Sequence, residues 1–200
     1  VRHIPVLAAG FLGAALLAGC PSKGDDSCKS PEDPPTGELD VSICAPGAGP
    51  FSTVLDNEFF PLTVGSAHIL EGTEDGVLVR VEITALLDTM LVAGVTTRVV
   101  EEYETEDGEV VEVSRNFMVQ TTDGTLCYYG ETVDDYEGGV IVGHSGEWQA
   151  GVGGALPGIL MPATPAVNQW YRQETAAGVA EDRALHTAMG FSTGTWEKDI

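Results

Sequence analysis

A strict two-residue alternation of apolar and polar side chains is the feature that most constrains the fold of this chain. From Val77 to Ala85 every odd position is apolar, whereas three of the four even positions are polar. A similar alternation covers residues 111–120. Because successive side chains of a strand point to opposite faces, this period predicts strands that bury one face. We therefore expect an all-β fold built on an antiparallel sheet, either a curved sheet or a partly open barrel.

The turn that ends at Gly108 decides how two of these strands pair. A two-residue loop would pair odd positions with even ones and would set Val113 beside Glu102. A three-residue loop, residues 106–108, pairs odd positions with odd ones and gathers the apolar residues on one face. We predict this register, with Gly108 in a left-handed conformation. The resulting apolar face holds Val95, Val99, Tyr103, Val111, Val113, Phe117 and Val119.

Two charged residues fall on the same apolar face. Glu101 and Arg115 lie diagonally across the two strands in the predicted register, where they can pair and satisfy both charges. The simplest interpretation is an internal ion pair. The alternative is a pair that binds a ligand inside a barrel or cleft.

The charge balance excludes one class of partner. The 200 residues include 31 Asp and Glu against 9 Lys and Arg, which gives a formal net charge of −22. Neutralising phosphates requires clustered Lys and Arg, and nine basic residues spread along the chain cannot outweigh the acidic field. We therefore expect no nucleic-acid partner.

Composition divides the chain into segments. Residues 20–50 hold six of the eleven prolines and predict a semi-rigid tether. Residues 51–200 predict the acidic antiparallel β domain. Within it, residues 138–168 are rich in Gly and Pro and predict a long ordered loop or lid. Residues 180–189 are interpreted as a strand.

The N-terminus has the pattern of an export signal. An apolar stretch of about fourteen residues, residues 4–17, is shorter than the roughly 20 needed to span a bilayer. The tetrapeptide Leu17-Ala18-Gly19-Cys20 then resembles the lipobox of bacterial lipoproteins. This resemblance implies removal of residues 1–19 as a signal peptide and lipidation of Cys20. The protein would then be anchored by lipid to a membrane of the bacterial cell envelope, facing the periplasm or the exterior.

Three further cysteines remain after Cys20. In an oxidising compartment we expect Cys28 and Cys44 to form a disulfide within the tether, which leaves Cys127 as a buried free thiol in a β-like run. The chain contains no CxxC pair, and its four histidines are scattered, so no zinc site is predicted.

Four short segments carry a wider resemblance. They are Asp56-Asn57-Glu58-Phe59-Phe60-Pro61-Leu62, Gly146-Glu147-Trp148-Gln149-Ala150-Gly151, Gly158-Ile159-Leu160-Met161-Pro162-Ala163 and Tyr171-Arg172-Gln173-Glu174. Through them, residues 51–185 resemble a family of secreted, mostly lipid-anchored bacterial proteins with no assigned activity. Members of that family continue for some strands beyond the point equivalent to Trp196. The resemblance thus implies a β domain that is truncated or altered at its C-terminus, with an open sheet edge.

Catalytic and metal motifs are weak in this sequence. The run Gly143-His144-Ser145-Gly146 lacks the final glycine of a nucleophile elbow, because Glu147 stands there. No cofactor is predicted, and the acidic clusters are interpreted as solvated, with calcium binding as the alternative. These clusters are Glu101-Glu102, Asp134-Asp135-Tyr136-Glu137 and Glu181-Asp182.

Two function hypotheses follow. The first is a non-enzymatic binding or structural β domain of the envelope that binds an apolar ligand or a partner protein. The second is an envelope hydrolase that uses carboxylates around residues 138–168, with Glu131 and Glu174 as a possible glycosidase pair. Convergence of carboxylates in a polar cleft favours the hydrolase, and an apolar cavity favours the binding domain. The candidate site residues are Glu101, Arg115, Glu131, Glu147, Trp148 and Glu174.

Overall fold

A computed structural model describes residues 37–189, which form an all-β fold without an α-helix. The predicted signal peptide, the lipidation site Cys20 and Cys28 lie outside the described residues. Two short 3₁₀ helices cover Val41–Cys44 and Pro46–Ala48. The strands are β1 (Gly37–Glu38), β2 (Ala67–Glu74), β3 (Val77–Val92), β4 (Val95–Glu106), β5 (Glu109–Gln120), β6 (Leu126–Glu137), β7 (Val140–Gly143), β8 (Trp148–Gln149), β9 (Gly158–Met161), β10 (Gln169–Arg172) and β11 (Arg183–Leu185).

Eight strands form one antiparallel sheet. Its order is β2-β3-β4-β5-β6-β7, and the short strands β8 and β9 also pair with β6. Since β5 occupies one side of β6, strands β7, β8 and β9 follow one another along the other side. Strands β2 and β7 do not pair with each other, so the sheet does not close into a barrel. The segment predicted as a long loop, residues 138–168, thus contains three short strands.

A second, three-stranded sheet lies beside the first. Strand β10 is central, pairing in parallel with β1 and antiparallel with β11. The strand expected over residues 180–189 is shorter than predicted, since only Arg183–Leu185 forms it. Across the described part of the chain, no helix has the length and apolar character needed to cross a membrane.

The hairpin between β4 and β5 has a shorter turn than we predicted but the predicted apolar face. Its loop is the two-residue turn Asp107-Gly108, with φ of 48° and 87°, and Glu106 pairs with Glu109. A β-bulge opposite Thr105 then inserts one extra residue in β5. The three-residue loop was therefore wrong. The bulge supplies the residue that we had placed in the turn, and it restores odd-with-odd pairing from Tyr103 onward.

The ion pair between Glu101 and Arg115 forms, but it is not internal. The two residues are direct cross-strand partners, and Arg115 Nη2 lies 3.0 Å from Glu101 Oε2. The Arg115 side chain is 45% exposed, and Asp134 approaches it at 3.8 Å. This end of the predicted apolar face is exposed, since Tyr103 is 36% exposed as well. The opposite face of the same strands carries the buried polar side chains.

A disulfide joins Cys44 to Cys127, with Cα atoms 5.5 Å apart. The predicted Cys28–Cys44 bond and the free thiol at Cys127 were therefore both wrong. The physical reason is that residues 41–48 fold against the sheet, where the Tyr129 hydroxyl donates to the Cys44 carbonyl at 2.6 Å. Cys44 is fully buried, and β1 already pairs with β10. The folded body thus includes residues 37–50, which we had assigned to the tether.

The core lies on both faces of the central strands. Phe117 and Val99 lie on the predicted apolar face, while Met118 and Val100 are buried on the opposite face. Its largest fully buried side chains are aromatic: Tyr128, Tyr129, Tyr171 and Phe117.

Candidate functional site

Carboxylates are concentrated on one face of strands β4, β5 and β6. The register places Glu104, Glu112 and Asp135 side by side across the three strands. On the same face, Glu102 lies two residues before Glu104 in β4, and Glu131 lies four residues before Asp135 in β6. We call these five residues the acidic face. Glu102, Glu131 and Asp135 are 7%, 3% and 7% exposed, so these three side chains are withdrawn from water, whereas Glu104 and Glu112 are half-buried.

At the β6 end of the acidic face, Glu131 meets Glu174 at a cavity of about 100 Å³. Glu131 lies within β6, and Glu174 follows β10. Both are only 3% exposed. We call this space the acidic cavity. The rest of its lining is Gly146, Val179, Ala180, Glu181 and Asp182.

Two glycines allow the backbone to pack closely around the acidic cavity. At Gly130, whose φ is 120°, a Cβ atom would overlap the Trp148 carbonyl oxygen and lie 2.7 Å from Gln149 Cα. At Gly158, a Cβ atom would overlap the Gln173 carbonyl oxygen and lie 2.5 Å from its carbon. Gly130 therefore permits β8 to approach β6, and Gly158 permits the segment that carries Glu174 to cross β9.

Aromatic side chains separate the two carboxylates from solvent. Trp148 is the cross-strand partner of Glu131 and is 5% exposed. Its indole ring packs edge-on against Tyr128, with ring centroids 5.3 Å apart. The Tyr128 hydroxyl donates to Asn116 Oδ1 at 2.6 Å, also on this face. The carboxylates thus sit in a low-dielectric environment, where an ionised form is costly.

This environment raises the pKa of the buried carboxyl groups. Burial, followed by the charge of Glu174, raises the pKa of Glu131 to about 8. Burial, followed by the charge of Asp182, raises the pKa of Glu174 to about 7; the nearby indole N–H of Trp148 opposes the rise, although it forms no hydrogen bond of ordinary geometry. At neutral pH the pair therefore retains part of its protons.

The same effect extends along the acidic face. Burial and the neighbouring Glu104 raise the pKa of Glu102 to about 7. Burial and the charges of Glu104, Glu102 and Asp135 raise the pKa of Glu112 to about 8.

Several buried polar atoms at the site lack a hydrogen-bond partner within residues 37–189. They include Glu174 Oε1, Trp148 Nε1 and Glu102 Oε2. Leaving a buried polar group unpaired costs about 1–3 kcal/mol. The acidic cavity therefore contains an acceptor whose hydrogen bond the described residues do not supply.

The basic side chains of residues 37–189 are engaged elsewhere. This part of the chain contains five arginines and no lysine. Arg80 pairs with Glu82, Arg172 with Glu38, and Arg115 with Glu101 and Asp134. Arg98 donates to main-chain carbonyls of residues 53 and 86–88, and Arg183 lies over the Trp170 ring. Within these residues, Glu131 and Glu174 form no salt bridge.

The structure brings together three of the six candidate site residues. Glu131 and Glu174 line the acidic cavity, and Trp148 lies beside it as the cross-strand partner of Glu131. Glu147 is exposed and does not line it. Glu101 and Arg115 lie on the opposite face of the sheet.

Sequence reasoning missed the buried side chain of Glu102 and the half-buried side chain of Glu112. We had assigned the even positions of β4 and β5 to the solvent side, because alternation alone does not tell which face is covered. The repetition of acidic residues at even positions, residues 102, 104 and 112, was the available signal.

A larger cleft of about 410 Å³ lies between the 3₁₀ segment and residues 121–123. Its one carboxylate, Asp123, already accepts a hydrogen bond from the Thr125 amide at 3.1 Å. We therefore place the candidate site at the smaller acidic cavity.

Among residues 37–189, no three His, Cys, Asp or Glu side chains are arranged to hold a metal ion, so the calcium alternative gains no geometric support.

The acidic cavity can bind hydrogen-bond donors or a cation, and its two buried carboxyl groups can also transfer protons.

Comparison with protein-family models, curated proteins and solved structures finds no match for this chain. The resemblance to secreted, lipid-anchored proteins therefore stays a prediction from four short segments.

Proposed function

We propose that this protein is a non-enzymatic, lipid-anchored binding domain of the bacterial cell envelope, and that the acidic cavity is its ligand site. One observation carries the proposal: Glu174 is 3% exposed and lines the cavity, yet its Oε1 atom accepts no hydrogen bond from residues 37–189. A donor supplied by a ligand removes the cost of this unpaired acceptor. The ligand is therefore polar, in contrast to the apolar ligand expected from the sequence.

Two features support the cellular location. The lipobox-like tetrapeptide at residues 17–20 predicts a lipid on Cys20. The Cys44–Cys127 disulfide is of the kind that persists in oxidising compartments outside the cytosol.

Native mass spectrometry of the full-length, detergent-solubilised protein tests the ligand site. We expect the wild type to retain a small co-purifying ligand and Glu131→Gln/Glu174→Gln to lose it. Glu147→Gln is the matched control, because Glu147 is exposed and does not line the cavity. A ligand that the double variant retains would place binding elsewhere.

Metabolic labelling with a fatty-acid analogue tests the anchor. The wild type should be labelled, Cys20→Ala should not, and Cys28→Ala should remain labelled. An unlabelled wild type contradicts the lipid anchor.

A second candidate function is a hydrolase in which Glu131 and Glu174 act as acid and base. Their shared cavity favours it, because a retained proton beside a carboxylate is what such chemistry requires. However, the cavity is small, at about 100 Å³, and both carboxyl side chains are only 3% exposed, which leaves a bulky substrate little access to them. Turnover of a chromogenic glycoside or ester by the wild type, abolished in Glu174→Gln, would establish this alternative.

A further inference from the structure

We propose that the group bound in the acidic cavity is a primary alkylammonium, held between Glu131 and Glu174. This inference rests on the proposed function, since it names the ligand chemistry of the same cavity. The shared chemistry is that of a lysine side chain and of a free alkylamine.

The charge of the lining selects a cation. Four carboxylates line the cavity, and none of its lining residues is basic. The two buried members, Glu131 and Glu174, form no salt bridge within residues 37–189, whereas Glu181 and Asp182 are exposed. Burying a carboxylate is costly unless a cation or hydrogen-bond donors pair with it. Because residues 37–189 contain no lysine, an ammonium partner has to come from another molecule or from outside this body.

The arrangement of the four carboxylates suits a cation that enters from solvent. The exposed Glu181 and Asp182 lie at the mouth and attract positive charge. The buried Glu131 and Glu174 lie deeper, where a low dielectric strengthens their attraction for a charge. The unpaired Glu174 Oε1 offers the first acceptor for an entering N–H group.

Size and donor number favour ammonium over other cations. A cavity of about 100 Å³ has room for a nitrogen and its first methylene groups. The ammonium group is compact and has three donors, whereas guanidinium is a broader planar fork with five. Calcium takes 6–8 oxygen ligands, and residues 37–189 offer no group arranged to hold a metal.

The buried carboxyl groups make this binding depend on pH. Glu131 faces Glu174, Tyr128, Glu112 and Glu102, while Glu174 faces Asp182 and the Trp148 indole. These surroundings keep both groups partly protonated near neutral pH, and an ammonium pairs only with the ionised forms. Binding should therefore release protons and strengthen as the pH rises from about 6 to about 9, because an alkylamine with a pKa near 10.4 stays charged over this range.

Isothermal titration calorimetry of the full-length protein with n-butylammonium tests the proposal. At about pH 8 the wild type should bind it at least about tenfold more tightly than tetramethylammonium, which lacks N–H donors and is bulkier. Sodium and guanidinium serve as further competitors. Lowering the pH to about 6 should weaken binding at least about tenfold, since both carboxyl groups then retain their protons.

Three variants separate the site from the fold. Glu174→Gln and Glu131→Gln keep the side-chain size and should each weaken n-butylammonium binding at least about tenfold. Glu147→Gln should leave it unchanged. Circular dichroism checks that each variant is folded. If Glu174→Gln or Glu131→Gln fails to fold, the other variant tests the site.

Two ligands distinguish the source of the ammonium. A short peptide with one lysine that binds more tightly than 1,5-diaminopentane points to a protein partner, and the reverse order points to a free amine. Either order supports the proposal. A wild type that does not bind n-butylammonium between about pH 6 and 9 overturns it. If native mass spectrometry then shows another ligand that Glu131→Gln/Glu174→Gln loses, only the ammonium assignment fails; if it shows none, the proposed function fails as well.

Discussion

At the scale of single residues, Gly158 sets the path of the backbone that carries Glu174. A methyl group at this position would overlap the Gln173 carbonyl oxygen, which is backbone and cannot rotate away. We expect Gly158→Ala to lower the free energy of unfolding by about 1–3 kcal/mol, as other overpacked sites do. Urea denaturation measures this change.

Gly72→Ala is the matched control for this prediction. Gly72 lies in the exposed strand β2, and a Cβ atom there meets nothing within 4 Å. Its effect should stay within about 0.5 kcal/mol. If both variants lower the free energy of unfolding equally, the contact between the Gly158 methyl position and the Gln173 carbonyl is not the cause of the loss.

Residue identities at the site were only partly predictable from the sequence. Glu131 and Glu174 emerged as a pair, but the 42 positions between them contain no information on their separation in space. Glu102 and Glu112 were missed because a polar residue in an alternating strand is ordinarily solvated. Their burial depends on which elements cover that face, and this is a property of the tertiary structure.

At the scale of elements, the turn between β4 and β5 also positions β3. The amide of Leu78 donates to Asp107 Oδ1 at 3.0 Å, and the Asp107 amide donates to the Leu78 carbonyl at 2.8 Å. We expect Asp107→Ala to destabilise the protein by about 0.5–1.5 kcal/mol more than Asp75→Ala. Thermal or urea unfolding of the two variants gives this difference.

Asp75 is a close control, because it occupies the equivalent turn between β2 and β3. Both aspartates adopt a left-handed φ, 49° for Asp75 and 48° for Asp107, and both precede glycine. The backbone cost of alanine is therefore the same at both sites. Equal stabilities would show that the hydrogen bond to Leu78 contributes nothing.

The Cys44–Cys127 disulfide joins the N-terminal 3₁₀ segment to β6. It closes a loop across a sequence separation of 83 residues, for which chain entropy predicts a stabilisation of about 4.5 kcal/mol. The double variant Cys44→Ala/Cys127→Ala should therefore unfold at a distinctly lower denaturant concentration. Cys28→Ala should unfold like the wild type, and peptide mapping without reductant should recover the 44–127 link. Recovery of a 28–44 link instead would contradict this connectivity.

Strand faces were easier to predict than turns and pairings of distant segments. Alternation identified the odd positions of β4 and β5 as one face, and the register confirms this from Val99 to Tyr103, whereas Val111 falls in the β-bulge. The turn length could not be deduced, since Asp107-Gly108 fits loops of two or three residues and a β-bulge has no clear sequence signal. The prolines of residues 20–50 predicted a tether, but its described part, residues 37–50, belongs to the folded body, because β1 pairs with β10 and Cys44 bonds to Cys127.

At the scale of the whole molecule, the buried carboxyl groups should make the protein more stable in mild acid. The pKa is raised from its ordinary value near 4.5 to about 7 in Glu102 and Glu174, and to about 8 in Glu112 and Glu131. Between about pH 4.5 and about pH 8, the folded state therefore binds more protons than the unfolded state. The free energy of unfolding must then fall as the pH rises from about 4.5 to about 8.

Urea denaturation at several pH values and constant ionic strength measures this slope. Glu131→Gln/Glu174→Gln should flatten it, because glutamine does not titrate. Glu147→Gln removes an exposed charge and should leave the slope unchanged, which separates the buried groups from general repulsion among the 25 acidic residues of residues 37–189. Stability that increases with pH over this range would contradict the prediction.

The disulfide also determines how the domain carries mechanical load. A pull on the N-terminal chain first reaches β1, which pairs with β10 over only two residues, and then reaches Cys44. From there the tension passes through the sulfur atoms directly to β6. Residues 45–126, which include strands β2 to β5, lie in a covalently closed loop outside the line of force. Stretching the molecule by its two ends can therefore extend only the segments outside this loop until a reductant opens the bond.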